Sequence, residues 1–85
     1  MEKSEVADRV KDVTARVLKV DKDSIQNDQE FGLDLGAESV QSVALVAGFE
    51  EEFDIEMDED AALAVSNVGA AIDFVHQHIL EQHGG

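Results

Sequence analysis

Val6, Val10, Val13, Val17 and Leu18 recur at the spacing of one helical face, and no stretch of the 85 residues alternates polar and apolar side chains as a half-buried strand requires. No proline interrupts the pattern. The periodicity predicts a first helix over about residues 3–18 and a second from Ser39 to Phe53. A short third helix opens near Asp58 and covers Ala61 to Val65. A fourth follows Ser66-Asn67, either of which can cap it, and lines Val68, Ala71, Ile72, Val75 and Ile79 on one face. The expected fold is all-α: a small four-helix bundle of three longer helices and one short one. Residues 1–85 make one domain, with an ordered core over about 3–81 and a frayed tail from residue 82.

Between the first two helices, Asp21 to Glu38 reads as a long loop pinned inward by Ile25, Phe31, Leu33 and Leu35. Loops of this length inside a small domain more often serve function than mere connection. Lys19 and Lys22 suit the negative pole of the first helix.

Charge narrows the class of partner. All six basic residues, Lys3, Arg9, Lys11, Arg16, Lys19 and Lys22, lie in the first 22 positions, where five acids leave that segment at +1. The remaining residues hold fifteen acids and no Lys or Arg, a net −15. Phosphate contacts need cations, so nucleic-acid binding is excluded as a working hypothesis. Basic protein surfaces are favoured instead. Some of the acids serve solubility alone. There is no cysteine, hence no disulfide and no thiolate of the chain's own. No apolar run approaches the roughly 20 residues that cross a bilayer, and the first twelve residues do not read as a signal peptide. The expectation is a soluble, cytoplasmic monomer with no membrane insertion.

The second helix carries too many apolar faces. Leu45, Phe49 and Phe53 need one buried side, yet Val40, Val43, Ala44 and Ala47 form a second stripe on the same cylinder. Apolar surface rimmed by charge marks a docking site, and Glu38, Glu50, Glu51 and Glu59 would supply the rim. The competing reading is a central helix covered all round. Ser39 opens this helix. As an N-cap it contributes about 1 kcal/mol. The same position offers free amides and a helix dipole to a phosphate, and Gly36 lets the chain present the hydroxyl outward. No His, Lys or Arg stands near it in sequence to act as a base, so this serine is better suited to be modified than to attack.

The stretch Asp34-Leu35-Gly36-Ala37-Glu38-Ser39-Val40, the block Glu50-Glu51-Glu52-Phe53 and the segment Ala70-Ala71-Ile72-Asp73 together resemble an acyl carrier protein over nearly the whole chain, most strongly over residues 31–75. The family's aspartate-serine-leucine motif stands here as Glu38-Ser39-Val40. The resemblance implies a non-catalytic carrier. A phosphopantetheinyl transferase would move 4'-phosphopantetheine from coenzyme A onto Ser39, and the arm's thiol would hold acyl groups as thioesters for fatty-acid, polyketide or related lipid biosynthesis. Val40, Val43, Ala44 and Ala47 with Glu38, Glu50, Glu51 and Glu59 would be read by basic patches on an acyltransferase, ketosynthase or acyl ligase. Phe31, Leu45, Val46, Phe49, Met57, Ala62, Val65 and Ala71 would line an acyl pocket. Each of these eight is equally an ordinary core residue.

Departures from the family pattern point to a specialised carrier. Gln41 and Ala44 stand where fatty-acid carriers usually have acids, Asp58 where a proline is common, and Ala62 to Val65 are more apolar than the usual third helix. Gly48, beside Ala47, is expected to leave room for a bulkier acyl group. Three rivals accompany this reading. Asp54, Glu56, Asp58 and Asp60 alternate like the start of an EF-hand, but Glu59 and Val65 occupy the positions that need glycine and glutamate. No specific metal site is expected, only loose Ca²⁺ or Mg²⁺ binding. Gly84-Gly85 would suit a sulfur or modifier carrier, which is built on a sheet that this chain lacks. A plain acidic adaptor with Ser39 as a cap is the third. His76, His78 and His83 read as solvated, and Ser42 as a helix-surface or supporting residue rather than a second attachment point.

Overall fold

A computed structural model describes residues 1–84. Helix α1 spans Lys3–Leu18, α2 Ser39–Phe53, α3 Glu59–Leu63 and α4 Val68–His83, and no strand occurs among the described residues. The all-α bundle stands as expected. Helix α1 packs on both α2 and α4, and α3 leans on α2.

The stripe on α1 accounts for its placement. Val6, Val10 and Val13 are fully buried, and Leu18 is nearly so. Thr14 joins them, its hydroxyl donating to the Val10 carbonyl at 2.8 Å, so no polar atom is left unsatisfied there. On α4, Val68, Ala71, Ile72, Val75 and Ile79 are all buried. Asn67 rather than Ser66 caps that helix: its Oδ1 accepts from the Ala70 N–H at 2.7 Å. Arg9 joins α1 to the end of α2. Its Nε and Nη2 donate to the Glu52 side chain at 2.8 Å and the Glu52 carbonyl at 3.1 Å, and its guanidinium carbon lies 5.3 Å from the Phe53 ring centre.

Gly48 has a packing role. A Cβ built there would lie 2.8 Å from Val13 Cγ1, so the missing side chain admits α1 against α2. This corrects the expectation that Gly48 widens an acyl site, because it faces the opposite side of α2. Lys22 also departs from expectation. It folds back along α1, 2.8 Å from Asp8 and 2.9 Å from Asp12, instead of sitting at the helix terminus.

The long loop is ordered by α4. A 3-10 turn at Lys22–Ser24 follows Asp21, whose side chain accepts from the Asp23 N–H at 3.0 Å. Ile25 and Phe31 are buried as expected and Leu35 is half-buried. Leu33 is not inward: it is 83% exposed. The chain turns sharply around it, with the Asp34 and Leu35 amides both donating to the Glu30 carbonyl, so the side chain points away from the core. The loop is tied to the start of α4. Phe31 donates to the Ser66 carbonyl at 3.0 Å, Val68 to Gln29 at 3.0 Å and Gly69 to Asn27 at 2.8 Å. A lone antiparallel bridge pairs Glu30 with Asn67.

Two expectations for the later helices need correction. Helix α3 ends at Leu63, leaving Ala64 and Val65 in the following turn. The tail is not frayed at residue 82. Helix α4 continues to His83, and Gln82 and His83 both bond to the α2–α3 connection. Gly84 closes the helix at φ 74, a conformation glycine adopts without strain. Gly85 lies outside the described residues, so the tail expectation ends at Gly84.

Candidate functional site

Ser39 is the first residue inside α2, and the cap is Glu38. The Glu38 N–H donates to Gln41 Oε1 at 2.9 Å, the backward half of a capping box. This corrects the reading of Ser39 as N-cap and relieves its hydroxyl of that duty. Ser39 is exposed, and its hydroxyl makes no hydrogen bond among the described residues. The loop before it is closed by an Ala37 N–H to Phe31 carbonyl bond of 2.8 Å and turned by Gly36 at φ 73. First-turn amides of a helix have no partner within it, so the hydroxyl stands at the positive pole of α2. An anionic group attached there meets a favourable field.

Behind this end of α2 lies a cavity of about 50 Å³ between α2, α3 and α4. All eight residues expected to line it do so: Phe31, Leu45, Val46, Phe49, Met57, Ala62, Val65 and Ala71. Ser42, Leu63, Phe74 and Val75 complete the wall. Phe74 lies between Ala71 and Val75 on the inward face of α4, a periodicity that would have identified it. Ser42, one turn after Ser39, connects the cavity to the exposed serine.

The expected docking residues divide into separate groups. Val40 and Val43, beside Ser39, are 73% and 44% exposed, and Glu38 and Glu59 are exposed as well. A covered, central α2 is therefore ruled out. Ala44, Ala47 and Glu51 instead border a groove shared with Arg9, Arg16 and Val17 of α1. Two cations thus stand in a rim that was expected to be wholly negative. Glu50 is half-buried and already engaged, its Oε2 accepting from the Met57 N–H at 3.0 Å.

The acids between Asp54 and Asp60 do not converge. Among the described residues, no three His, Asp or Glu side chains gather as a metal site would require. Two of the three histidines are engaged with the protein. His78 Nδ1 lies 2.8 Å from the Phe74 carbonyl and its ring packs against Phe74 in a tilted arrangement with centres 4.4 Å apart, while His83 Nε2 donates to the Asp54 carbonyl at 2.7 Å.

The phosphopantetheine attachment site family model matches residues 8–75. The chain belongs to the acyl carrier protein family. An acyl carrier protein from Guillardia theta is 39% identical over 79 residues, 93% of this chain and 98% of the relative. The likeness runs from α1 into α4, through the exposed serine and the cavity. The cofactor of this carrier is phosphopantetheine. The chain's chemistry fits such an arm: a free hydroxyl, a helix pole suited to a phosphodiester, and an apolar cavity within a helical turn. Acyl carrier proteins are modified by a phosphopantetheinyl transferase and work with acyl-processing enzymes.

Proposed function

We propose that Ser39 bears the arm and that the protein, itself no catalyst, shuttles acyl thioesters between enzymes of fatty-acid, polyketide or related lipid biosynthesis in the cytoplasm. The observation that carries this is the exposed, unengaged Ser39 hydroxyl, one residue inside α2 and one turn from the cavity-lining Ser42. The arm supplies the thiol that a chain without cysteine lacks. The protein's own residues orient and shelter. Glu38 and Gln41 fix the first turn of α2, so the hydroxyl keeps its outward direction. The cavity residues receive the acyl chain, at about 0.8 kcal/mol per buried CH₂ less the cost of moving their neighbours.

Val40 and Val43 supply apolar contact for a docking enzyme, and Glu38, Glu51 and Glu59 supply charge for basic patches on an acyltransferase, ketosynthase or acyl ligase. Such rim charges act mainly on association rate, which suits a shuttle. We place this carrier among specialised members. Gln41 is engaged as the partner of the helix cap, and Ala44 faces a groove that contains Arg16.

The deciding experiment is incubation with coenzyme A and a broad-range phosphopantetheinyl transferase, followed by peptide mapping. Mass added at Ser39, and lost in a folded Ser39→Ala variant, supports the reading. An unmodified chain, or modification elsewhere, overturns it. Loading by a fatty-acid malonyl transferase as fast as a housekeeping carrier is loaded would count against specialisation.

A further inference from the structure

The last turn of α4 holds a segment far away in sequence. The Gln82 amide makes two bonds to one residue: Oε1 accepts from the Glu56 N–H at 2.8 Å and Nε2 donates to the Glu56 carbonyl at 2.7 Å. His83 Nε2 donates to the Asp54 carbonyl at 2.7 Å. From the other side, Glu50 accepts from the Met57 N–H. Ile55, in the middle of this segment, is buried. The turn from Asp54 to Met57 is therefore fixed from both α2 and α4.

This turn leads straight into one wall of the cavity. Met57, Ala62 and Val65 line it, and α3, which lies between them, has five residues, none of them buried. At its far end the wall is held by the Phe31 amide on the Ser66 carbonyl. Between these anchors, every backbone hydrogen bond of residues 58–65 among the described residues is local to the wall. A cavity of about 50 Å³ has room for only a few water-sized groups, so a longer chain needs a wall to yield, and α3, which buries no residue, is the wall with least to lose. How far it moves depends on its two attachments.

We infer that Gln82, supported by His83, is a positioning residue that sets the length of acyl chain the cavity admits, by fixing the Met57 end of the α3 wall. This rests on Ser39 as the tether. Gln82 acts through the Glu56 backbone and is not itself a cavity residue. A neutral amide suits the task, because it offers both a donor and an acceptor to a single peptide unit.

The test uses the full chain as wild type, Gln82→Ala, and the control Gln77→Ala, an exposed position on the same helix. A broad-range phosphopantetheinyl transferase loads each with butanoyl- or octanoyl-phosphopantetheine from the matching acyl-coenzyme A, adenosine 3',5'-bisphosphate being the leaving group. In the unloaded protein, the Glu56 amide should exchange about tenfold faster in Gln82→Ala and be unchanged in the control. Hydroxylamine cleavage then reports shelter of the thioester. The ratio of butanoyl to octanoyl cleavage rates should rise about fourfold in Gln82→Ala, the worth of one further buried CH₂. A merely structural role would change both chain lengths alike. An unchanged ratio overturns the inference, as does unchanged Glu56 exchange. Absence of added mass at Ser39 removes the carrier reading and this inference together, whereas a loaded chain with an unchanged ratio removes this inference alone.

Discussion

Val13 Cγ1 occupies the space a side chain on Gly48 would need, 2.8 Å from the position of its Cβ. Two effects oppose each other in Gly48→Ala. Alanine favours helix by about 1 kcal/mol, while overpacking a filled interface costs about 1–3 kcal/mol. Val13 is fully buried and β-branched, so its methyl cannot move aside cheaply. Net destabilisation of about 1 kcal/mol is expected in urea unfolding. The variant's sign test is coupling: Val13→Ala should cost less in the Gly48→Ala background than alone.

Ser39→Ala should remove modification while leaving stability within about 0.5 kcal/mol, the usual range for an exposed site without a special role. The cap at Glu38 is untouched by this change. A loss of 1 kcal/mol or more in chemical denaturation, about what an N-cap contributes, would show that the hydroxyl does cap α2.

The caps themselves are the more sensitive positions. Asn67→Ala removes the acceptor for the Ala70 N–H and should cost about 1 kcal/mol. Its effect extends beyond α4, because the Asn67 backbone is bridged to Glu30. Amide exchange at Phe31 and Val68, which join the loop to α4, should accelerate more than exchange within α1.

Lys22 provides the pH dependence. Hydrogen bonds to Asp8 and then Asp12 hold its ammonium above the ordinary value of 10.5. A raised folded value means that the folded state binds the proton more tightly. The resulting stability is complete below 10.5 and is lost as pH climbs through the higher folded value. The wild type should therefore lose stability in strongly alkaline solution more steeply than Lys22→Met, with no difference in slope between pH 6 and 9. Thermal unfolding across both ranges checks this.

Much of this was legible because α1 and α4 each bury a single stripe, and such stripes fix a register without help from tertiary structure. The eight cavity residues are named through the family resemblance, and all but Phe31, which comes from the loop, sit on the inward faces of α2 and α4 or on and beside the short α3. The place of Ser39 at the start of α2 is legible in the sequence, but the cap is Glu38. Glu38 and Ser39 are adjacent polar residues that propensity alone does not separate, and in the structure it is the Glu38 N–H that Gln41 Oε1 accepts. Leu33 was misread because apolarity says nothing about which way a tight turn points a side chain. Gln82 and His83 were misread because their partners lie 26 and 29 residues away and are backbone atoms, which leave no mark in composition. Gly48 looked like spare room because its neighbour across the interface, Val13, belongs to a different helix.

The bridge from Glu30 to Asn67 spans the whole of α2 and α3 in sequence, so forming it closes a long loop. Closure entropy puts such a long-range contact among the late events of folding. The approach to Ser39 is thus moulded by the finished bundle and not by its own letters, and it will be the first part to lose definition when the bundle loosens.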